Sequence, residues 1–185
     1  MKKGIIPPIV ALLILLGTVS AGAQARFEFN LNWPLTIGIN TSNSLFSGAN
    51  FDLSQYHLLL PDFRIYYQWG GEGLLRGGVG ARAYTVIIES LIYPEAFIEL
   101  NLYPLELEAS LGGYLFGLFG LSNNFKTLNL LLPDFNVGFQ VLSWLRLAGG
   151  VLLFTPVGSN WSQDFVYMGY IGARFIILPE KPKEE

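Results

Sequence analysis

Apolar and polar residues alternate with a period of two along most of this chain. The segment 135–141 reads FNVGFQV, with apolar side chains at the odd positions and polar or small ones at the even positions. Successive side chains of a β-strand point to opposite faces, so this spacing predicts strands with one apolar and one polar face. Such strands build either a soluble sandwich or barrel, or a barrel in a membrane. The distribution of charge has to decide between them.

The first 25 residues have the composition of a secretory signal peptide. Lys2 and Lys3 make a basic start, residues 5–16 are an apolar core, and Ala23-Gln24-Ala25 is a small-x-small cleavage site. The alternative is a membrane anchor, but the core is shorter than the roughly 20 apolar residues of a spanning helix. We therefore predict cleavage after Ala25. The chain has no cysteine, so it cannot carry the lipid of a lipoprotein.

The remainder is predicted to be one transmembrane domain, 26–178, followed by a charged tail, 179–185. This mature part keeps 9 of the 11 basic and all 14 acidic side chains, a net charge of −5. An acidic chain of this kind is not expected to bind nucleic acid. Without cysteine and with a single histidine it offers neither disulfides nor a typical metal site, and no cofactor or metal is predicted.

The alternation predicts eight strands separated by turns containing Gly, Pro, Asn or Ser. Their approximate ranges are 27–40, 62–69, 74–87, 97–102, 105–114, 135–141, 145–154 and 164–178. Residues 89–95 are expected to form a loop, and 41–54 the longest loop. In the first strand one apolar face is predicted to carry Leu31, Trp33, Leu35, Ile37 and Ile39.

An internal repeat is consistent with an even number of strands. The hexapeptide LLLPDF occurs at 58–63 and again at 130–135. Gly77-Gly78-Val79 resembles 149–151 at the same offset, and Trp33-Pro34-Leu35 resembles 103–105 at a similar one. The repeat predicts a four-plus-four duplication; chance similarity between strands of simple composition is the alternative.

Ten charged residues of the predicted strands fall on the Gly/Asn/Gln face, and the opposite face carries none. They are Asp62, Arg64, Arg76, Arg82, Glu99, Glu106, Glu108, Asp134, Arg146 and Arg174. A soluble barrel would carry charges, including lysine, on its outer face, whereas these strands contain no lysine. An apolar face that meets lipid fits the pattern, because an Arg or Lys there costs about 2–4 kcal/mol at the midplane. The sheet must also close, since open edges are not tolerated in hydrocarbon.

The sequence therefore predicts an all-β, eight-stranded, antiparallel up-and-down transmembrane barrel. Four aromatic residues are predicted to form a belt at the membrane interface, at the end of the barrel with short turns. They are Trp33, Trp69, Tyr103 and Trp144. This end is expected to be periplasmic, and the end with longer loops extracellular.

The chain resembles the small eight-stranded outer-membrane barrels of diderm bacteria, the group of the OmpA transmembrane domain, OmpX and OmpW. The best local match is the last strand, where Gly172, Phe175 and Ile177 resemble the closing-strand signal read by the barrel-assembly machinery. The seven-residue tail departs from members that end on the aromatic residue. The resemblance implies an outer-membrane location, contact with outer-membrane lipid and insertion by the assembly machinery. The sequence leaves the oligomeric state open, and a monomer is the expectation.

The polar face would line a bore just wide enough to be filled by side chains. The ten charges listed above are predicted to form a salt-bridge network that plugs its lower part. A gated ion path is one alternative. A paired-carboxylate cation site at Asp62 and Asp134, which lie on facing strands, is another.

Towards the extracellular end the inward face turns apolar. The residues concerned are Tyr84, Val86, Tyr114, Phe116, Leu152, Phe154 and Met168. They predict either a packed cap or a pocket for a hydrophobic ligand, which would resemble the one that OmpW-type barrels are thought to offer.

No enzyme is predicted. His57 is the only histidine, and Leu59 stands where outer-membrane lipid A deacylases have a serine two residues after their histidine. The leading hypothesis is a non-enzymatic barrel with a structural role in the envelope. The alternatives are a conduit or binding site for small hydrophobic molecules and a surface attachment protein, although the short loops do not favour large adhesive epitopes.

Overall fold

The computed structural model describes residues 24–40, 50–56, 58–71, 73–86, 89–113, 117–120, 130–156 and 165–177. Ten β-strands lie in these ranges: β1 Gln24–Asn40, β2 Asn50–Asp52, β3 Leu60–Trp69, β4 Leu75–Val86, β5 Glu89–Leu102, β6 Leu105–Gly113, β7 Gly117–Gly120, β8 Leu130–Leu142, β9 Leu145–Pro156 and β10 Phe165–Ile177. One 3₁₀ turn, Ser54–Tyr56, precedes β3. Among the described residues no helix is long and apolar enough to cross a membrane.

The ten strands form a closed barrel of eight staves, where a stave is one full-length strand of the barrel wall or two shorter strands that follow one another in it. The second stave consists of β2 and β3, which both pair with β1, and the fifth consists of β6 and β7, which both pair with β5. Every stave is antiparallel to its neighbours, and β10 returns to β1, with pairs from Phe27↔Ile177 to Asn40↔Phe165. The predicted fold class is confirmed. The proposed duplication stays a prediction.

The ends of the predicted domain lie partly outside the described residues. Residues 1–23 of the predicted signal peptide and 178–185, with the predicted tail, are in this category. Gln24 and Ala25, which the predicted cleavage would remove, are the first residues of β1 and lie opposite Gln68 and Tyr67. The cleavage site therefore stays a prediction.

The barrel is apolar outside and polar inside. In β3, Phe63, Ile65 and Tyr67 are each about half exposed, at 50–52%, whereas Asp62 and Arg64 are at most 3% exposed. Bulky apolar side chains are exposed in the same way on the other staves. A continuous apolar outer wall of this kind is stable in hydrocarbon rather than in water. The architecture is that of a membrane-spanning barrel, as the charge pattern predicted.

The predicted loop at 89–95 is wrong. These residues belong to β5 and pair with β4 from Val86↔Glu89 onwards. Pro94 lies opposite Ala81 within the ladder, between Tyr93 and Glu95, which are buried in the bore. Hydrogen bonds of an antiparallel pair recur at every second residue, so one missing N–H interrupts the ladder only locally.

The predicted placement of Ile37 on the apolar face of the first strand is wrong. The pairing with β10 shifts between Pro34, opposite Tyr170, and Thr36, opposite Gly169, which is a β-bulge. One extra residue exchanges the two faces of a strand, because side chains alternate. Ile37 therefore packs inside, against the apolar cluster of the bore, instead of facing lipid.

Three of the four predicted belt residues lie at the short-turn end. Trp69 ends β3, and Tyr103 and Trp144 lie in the turns after β5 and β8. The placement of Trp33 in this belt is wrong, because Trp33 lies in the middle of β1, opposite Ile171. The repeat matches Trp33 with Tyr103, and so it aligns a residue inside a strand with a residue in a turn. The LLLPDF copies, in contrast, both lead into staves that face each other across the bore, with Asp62 and Asp134 buried.

Candidate functional site in the bore

Buried charged side chains line the bore. Thirteen are found among the described residues, namely Arg26, Glu28, Asp62, Arg64, Arg76, Arg82, Glu95, Glu99, Glu106, Glu108, Asp134, Arg146 and Arg174. All ten residues of the predicted network are in this set. Sequence reasoning missed Arg26, Glu28 and Glu95. Arg26 precedes the predicted first strand, 27–40, and Glu28 is the second residue of that strand. Glu95 lay in the predicted loop 89–95, although it shares the inward phase of Tyr93 and Phe97.

The charged residues nearest the long-loop end are Asp62, Glu95 and Asp134, grouped around Arg82. We call this cluster the upper hub. The Arg82 guanidinium lies 2.8 Å from Asp62 Oδ2, 3.0 Å from Glu95 Oε1 and 2.7 Å from Asp134 Oδ2. Asp62 and Asp134 are on β3 and β8, which are opposite staves. One arginine therefore ties three staves to its own across the full width of the bore.

Neutral groups complete the hydrogen bonding of these three carboxylates. The Tyr170 hydroxyl donates to Asp134 Oδ1 at 2.8 Å, and Asn30 Nδ2 donates to Asp62 Oδ2 at 3.1 Å. Glu95 accepts from Ser110 Oγ at 2.6 Å and also from the Tyr66 hydroxyl. Buried charges are tolerated when such bonds compensate for the water they lose.

Glu99 is the centre of a second cluster, nearer the short turns, which we call the lower hub. Three arginines bind its carboxylate: Arg26 at 3.0 Å, Arg76 at 2.9 Å and Arg146 at 3.4 Å. Glu106 supports two of them, at 2.7 Å from Arg146 and 3.8 Å from Arg76. The two hubs have opposite compositions, one arginine among three carboxylates above and one central carboxylate among three arginines below.

Four charged residues join the hubs. Glu108 lies 2.8 Å from Arg64 Nη1 and 2.6 Å from Arg174 Nη1. Arg64 also reaches Asp134 of the upper hub at 3.3 Å, and Glu28 pairs with Arg26 of the lower hub. The thirteen charged side chains therefore form one connected network.

Aromatic rings also point into the bore, and glycines make room for them. A Cβ atom on Gly78 would lie 2.4 Å from the ring of Phe97, and one on Gly112 would lie 2.3 Å from the ring of Tyr93. These separations are far below van der Waals contact, so the rings of β5 lie directly on the backbones of its two neighbours. The glycines of the polar face thus set the close packing of the interior.

An apolar cluster lies above the upper hub. Its buried members are Leu60, Tyr84, Tyr93, Leu132, Leu152, Met168 and Tyr170, and Ile37, Leu91, Leu130 and Phe154 pack against it. Of the predicted apolar lining, Tyr84, Leu152, Met168 and Phe154 are therefore brought together. Tyr114, Phe116 and the side chain of Val86 lie outside the described residues, and so does His57.

The described part of the bore is built from paired charges. Within the described ranges, no group of three or more His, Cys, Asp and Glu side chains is arranged to hold a metal ion. The carboxylates are instead occupied by guanidinium, amide and hydroxyl donors. The arrangement can bridge opposite walls of the barrel and exclude water from its interior.

Comparisons with known proteins find similar chains among solved structures. No family model and no curated protein matches the chain. Among solved structures, it is similar to Neisserial surface protein A (NspA), with 17% identity, 83% of this chain and 98% of that one covered, and a TM-score of 0.48. It is also similar to the N-terminal β-barrel domain of Pseudomonas aeruginosa OprF (12% identity, coverage 84% and 99%, TM-score 0.46). A third is Ail, the attachment invasion locus protein of Yersinia pestis (8% identity, coverage 84% and 99%, TM-score 0.34).

Proposed function

We propose that this chain is a non-enzymatic outer-membrane barrel of a diderm bacterium, with a closed bore and a structural role in the envelope. The observation that carries the proposal is the upper hub, in which Arg82 binds carboxylates of opposite staves at 2.7–2.8 Å. An eight-stranded barrel is narrow enough for side chains to fill. Because the bridge spans the full width of the bore, an ion could pass only by breaking charge pairs.

Two different layers support a closed bore. The charge network occupies the lower and middle bore, and the apolar cluster lies above it. An ion that enters from the long-loop end would first lose its water among Leu132, Leu152 and Met168, whose exposures are 0–4%. Transfer of an ion into such a layer is strongly unfavourable.

Single-channel recording in planar bilayers tests the closed bore. We expect the wild-type protein to be silent. Arg82→Gln removes the cation that three carboxylates share and leaves Arg64 as the remaining cation beside Asp62 and Asp134. The upper hub then carries excess negative charge, so any current should be carried by cations. Glu99→Gln leaves three arginines around a neutral side chain, so any current should be carried by anions. Reversal potentials in a salt gradient distinguish the two signs.

The matched control is Val137→Ala, because Val137 faces lipid and its exposure is 51%. This variant should be as silent as the wild type, and all variants must first show the heat-dependent gel shift of a folded barrel. A steady wild-type conductance would overturn the proposal. So would currents in both hub variants with the same ion preference.

A binding site for small hydrophobic molecules is the second candidate for the upper bore. The packing of Tyr84, Leu152 and Met168 against one another supports a filled cap instead. Binding of a fluorescent fatty acid distinguishes the two, with Phe154→Glu as the comparison. A cap predicts no saturable binding by either protein, whereas a pocket predicts binding that Phe154→Glu abolishes.

Insertion by the barrel-assembly machinery is the partner interaction that we propose. Gly172, Phe175 and Ile177 all lie in β10, the strand that closes the barrel. A C-terminal peptide containing them should compete with folding of the full chain in proteoliposomes that contain the machinery. The same peptide with Phe175 replaced by Ala should compete weakly.

A further inference from the structure

The seam between β1 and β10 differs from the other joins between staves. Every other neighbouring pair of staves is connected through a turn or loop of the chain, whereas β1 and β10 are its first and last strands. Their pairing closes the longest loop in the sequence, so it has the largest entropic cost of closure. Additional contacts between β1 and β10 would offset this entropic cost.

A row of aromatic rings crosses this seam on the outer wall. Phe63 of β3 contacts Phe29 of β1 with ring centroids 4.9 Å apart, and Phe29 contacts Phe175 of β10 at 5.9 Å. Phe175 in turn stacks on Trp144, in the turn between β8 and β9, at 6.1 Å and an interplanar angle of 17°. All three distances are within the range of favourable aromatic pairs.

Backbone register explains why the four rings meet. Phe29 lies opposite both Phe63 and Phe175, so three of the rings follow the direction of the backbone hydrogen bonds from stave to stave. Trp144 extends the row to a short turn. Inside the barrel, Arg174 and Glu28 approach to 3.7 Å across the same seam. The join is therefore held by rings on its lipid side and by an ion pair on its bore side.

We propose that Phe63, Phe29, Phe175 and Trp144 form a clasp that locks the first strand to the last, and that the barrel opens at this seam when it unfolds. Phe175, the aromatic residue of the predicted closing-strand signal, is the central member on β10. The clasp concerns the stability of the folded barrel wall, and the proposal does not depend on whether the bore conducts ions.

The test is the unfolding rate in urea of the protein folded in detergent micelles, followed by the heat-dependent gel shift. We expect Phe29→Leu and Phe175→Leu to unfold about tenfold faster than wild type, since loss of aromatic pairing of the usual strength corresponds to roughly that factor. The matched controls are Phe135→Leu and Phe139→Leu on β8, which also face lipid, with exposures of 55% and 48%. These should change the rate less than threefold (roughly 0.6 kcal/mol).

A cross-link separates a seam effect from a general loss of packing. The chain has no cysteine, so Leu31→Cys with Ala173→Cys introduces a single possible disulfide between residues that lie opposite each other on β1 and β10. Paired residues of neighbouring strands are within the distance that a disulfide spans. In the oxidised protein Phe29→Leu should no longer accelerate unfolding, and reduction should restore the effect.

Two results would overturn the clasp. One is an equal acceleration by the β8 controls, which would show that any outward phenylalanine stabilises the wall to the same extent. The other is an effect of Phe29→Leu that persists in the cross-linked protein, which would show that unfolding begins elsewhere.

Discussion

Asp62 and Asp134 lie on opposite staves of the barrel and bind the same guanidinium, that of Arg82, at 2.8 and 2.7 Å. The two aspartates occupy equivalent places in the repeated hexapeptide LLLPDF. Like charges that face each other across a narrow bore would repel, and the Arg82 guanidinium turns this repulsion into a bridge. Arg64 supports it from a longer distance, 3.5 Å from Asp62 and 3.3 Å from Asp134. The stability of the bore therefore depends on the Arg82 cation more than on either aspartate alone.

Loss of the Arg82 charge should destabilise the barrel strongly. We expect Arg82→Gln to lower the free energy of unfolding by about 3–5 kcal/mol, the usual cost of leaving a buried charge without its partner. Equilibrium unfolding in urea, in detergent micelles, measures the change. The double variant Arg82→Gln with Glu95→Gln should recover part of the loss, because Arg82 is the cation that binds the Glu95 carboxylate, at 3.0 Å. A loss below about 1 kcal/mol, as for an exposed pair, would contradict the hub.

Two glycines of the polar face should respond in opposite ways to the addition of a methyl group. A Cβ atom on Gly80 would lie 1.9 Å from the carbonyl oxygen of Ile65, whereas one on Gly138 would meet nothing closer than 3.7 Å, at Glu106. Gly80→Ala should cost about 1–3 kcal/mol because the backbone of β3 must move. Gly138→Ala should be neutral or stabilising by up to about 1 kcal/mol. The same urea titration compares the two, and similar costs would contradict the close packing of β3 on β4.

A charge on the outer wall should be tolerated only at its edge. Val137 lies within β8 with its side chain 51% exposed, and Ser143 lies in the turn after β8. If lipid surrounds the strands, Val137→Arg should cost about 2–4 kcal/mol and Ser143→Arg about 0–1 kcal/mol. Unfolding titrations of both variants in lipid vesicles provide the comparison. Equal, small costs would indicate that water, not lipid, surrounds β8.

Truncation of leucine in β9 should separate the apolar cluster from the lipid-facing wall. Leu152 is 1% exposed within the cluster, whereas Leu147 of the same strand is 53% exposed on the outer face. Leu152→Ala should lower the free energy of unfolding by about 2–5 kcal/mol, because it leaves a cavity in a packed layer. Leu147→Ala leaves no cavity and should cost clearly less. If the two costs are equal, the upper bore is not packed and a ligand pocket gains support.

Much of this architecture follows from the local pattern of the chain. The alternation at 135–141, and its equivalents in other segments, requires strands with two unlike faces, and the restriction of every strand charge to one face requires a barrel with its polar side inward. These properties are local, because the side chains of a strand alternate regardless of their surroundings. The ten predicted bore residues needed only this alternation to be placed inside.

Only the tertiary structure decided which residues meet and where the pattern breaks. The bulge at Leu35 turns Ile37 inward, and the pairing of β5 with β4 brings Pro94 and Glu95 into the wall, since both outcomes depend on hydrogen bonds between staves. The choice of Arg82 as the bridge between Asp62 and Asp134 depends on the shift of each strand relative to its neighbours. That register arises from closure of the whole sheet, and a single strand does not contain it.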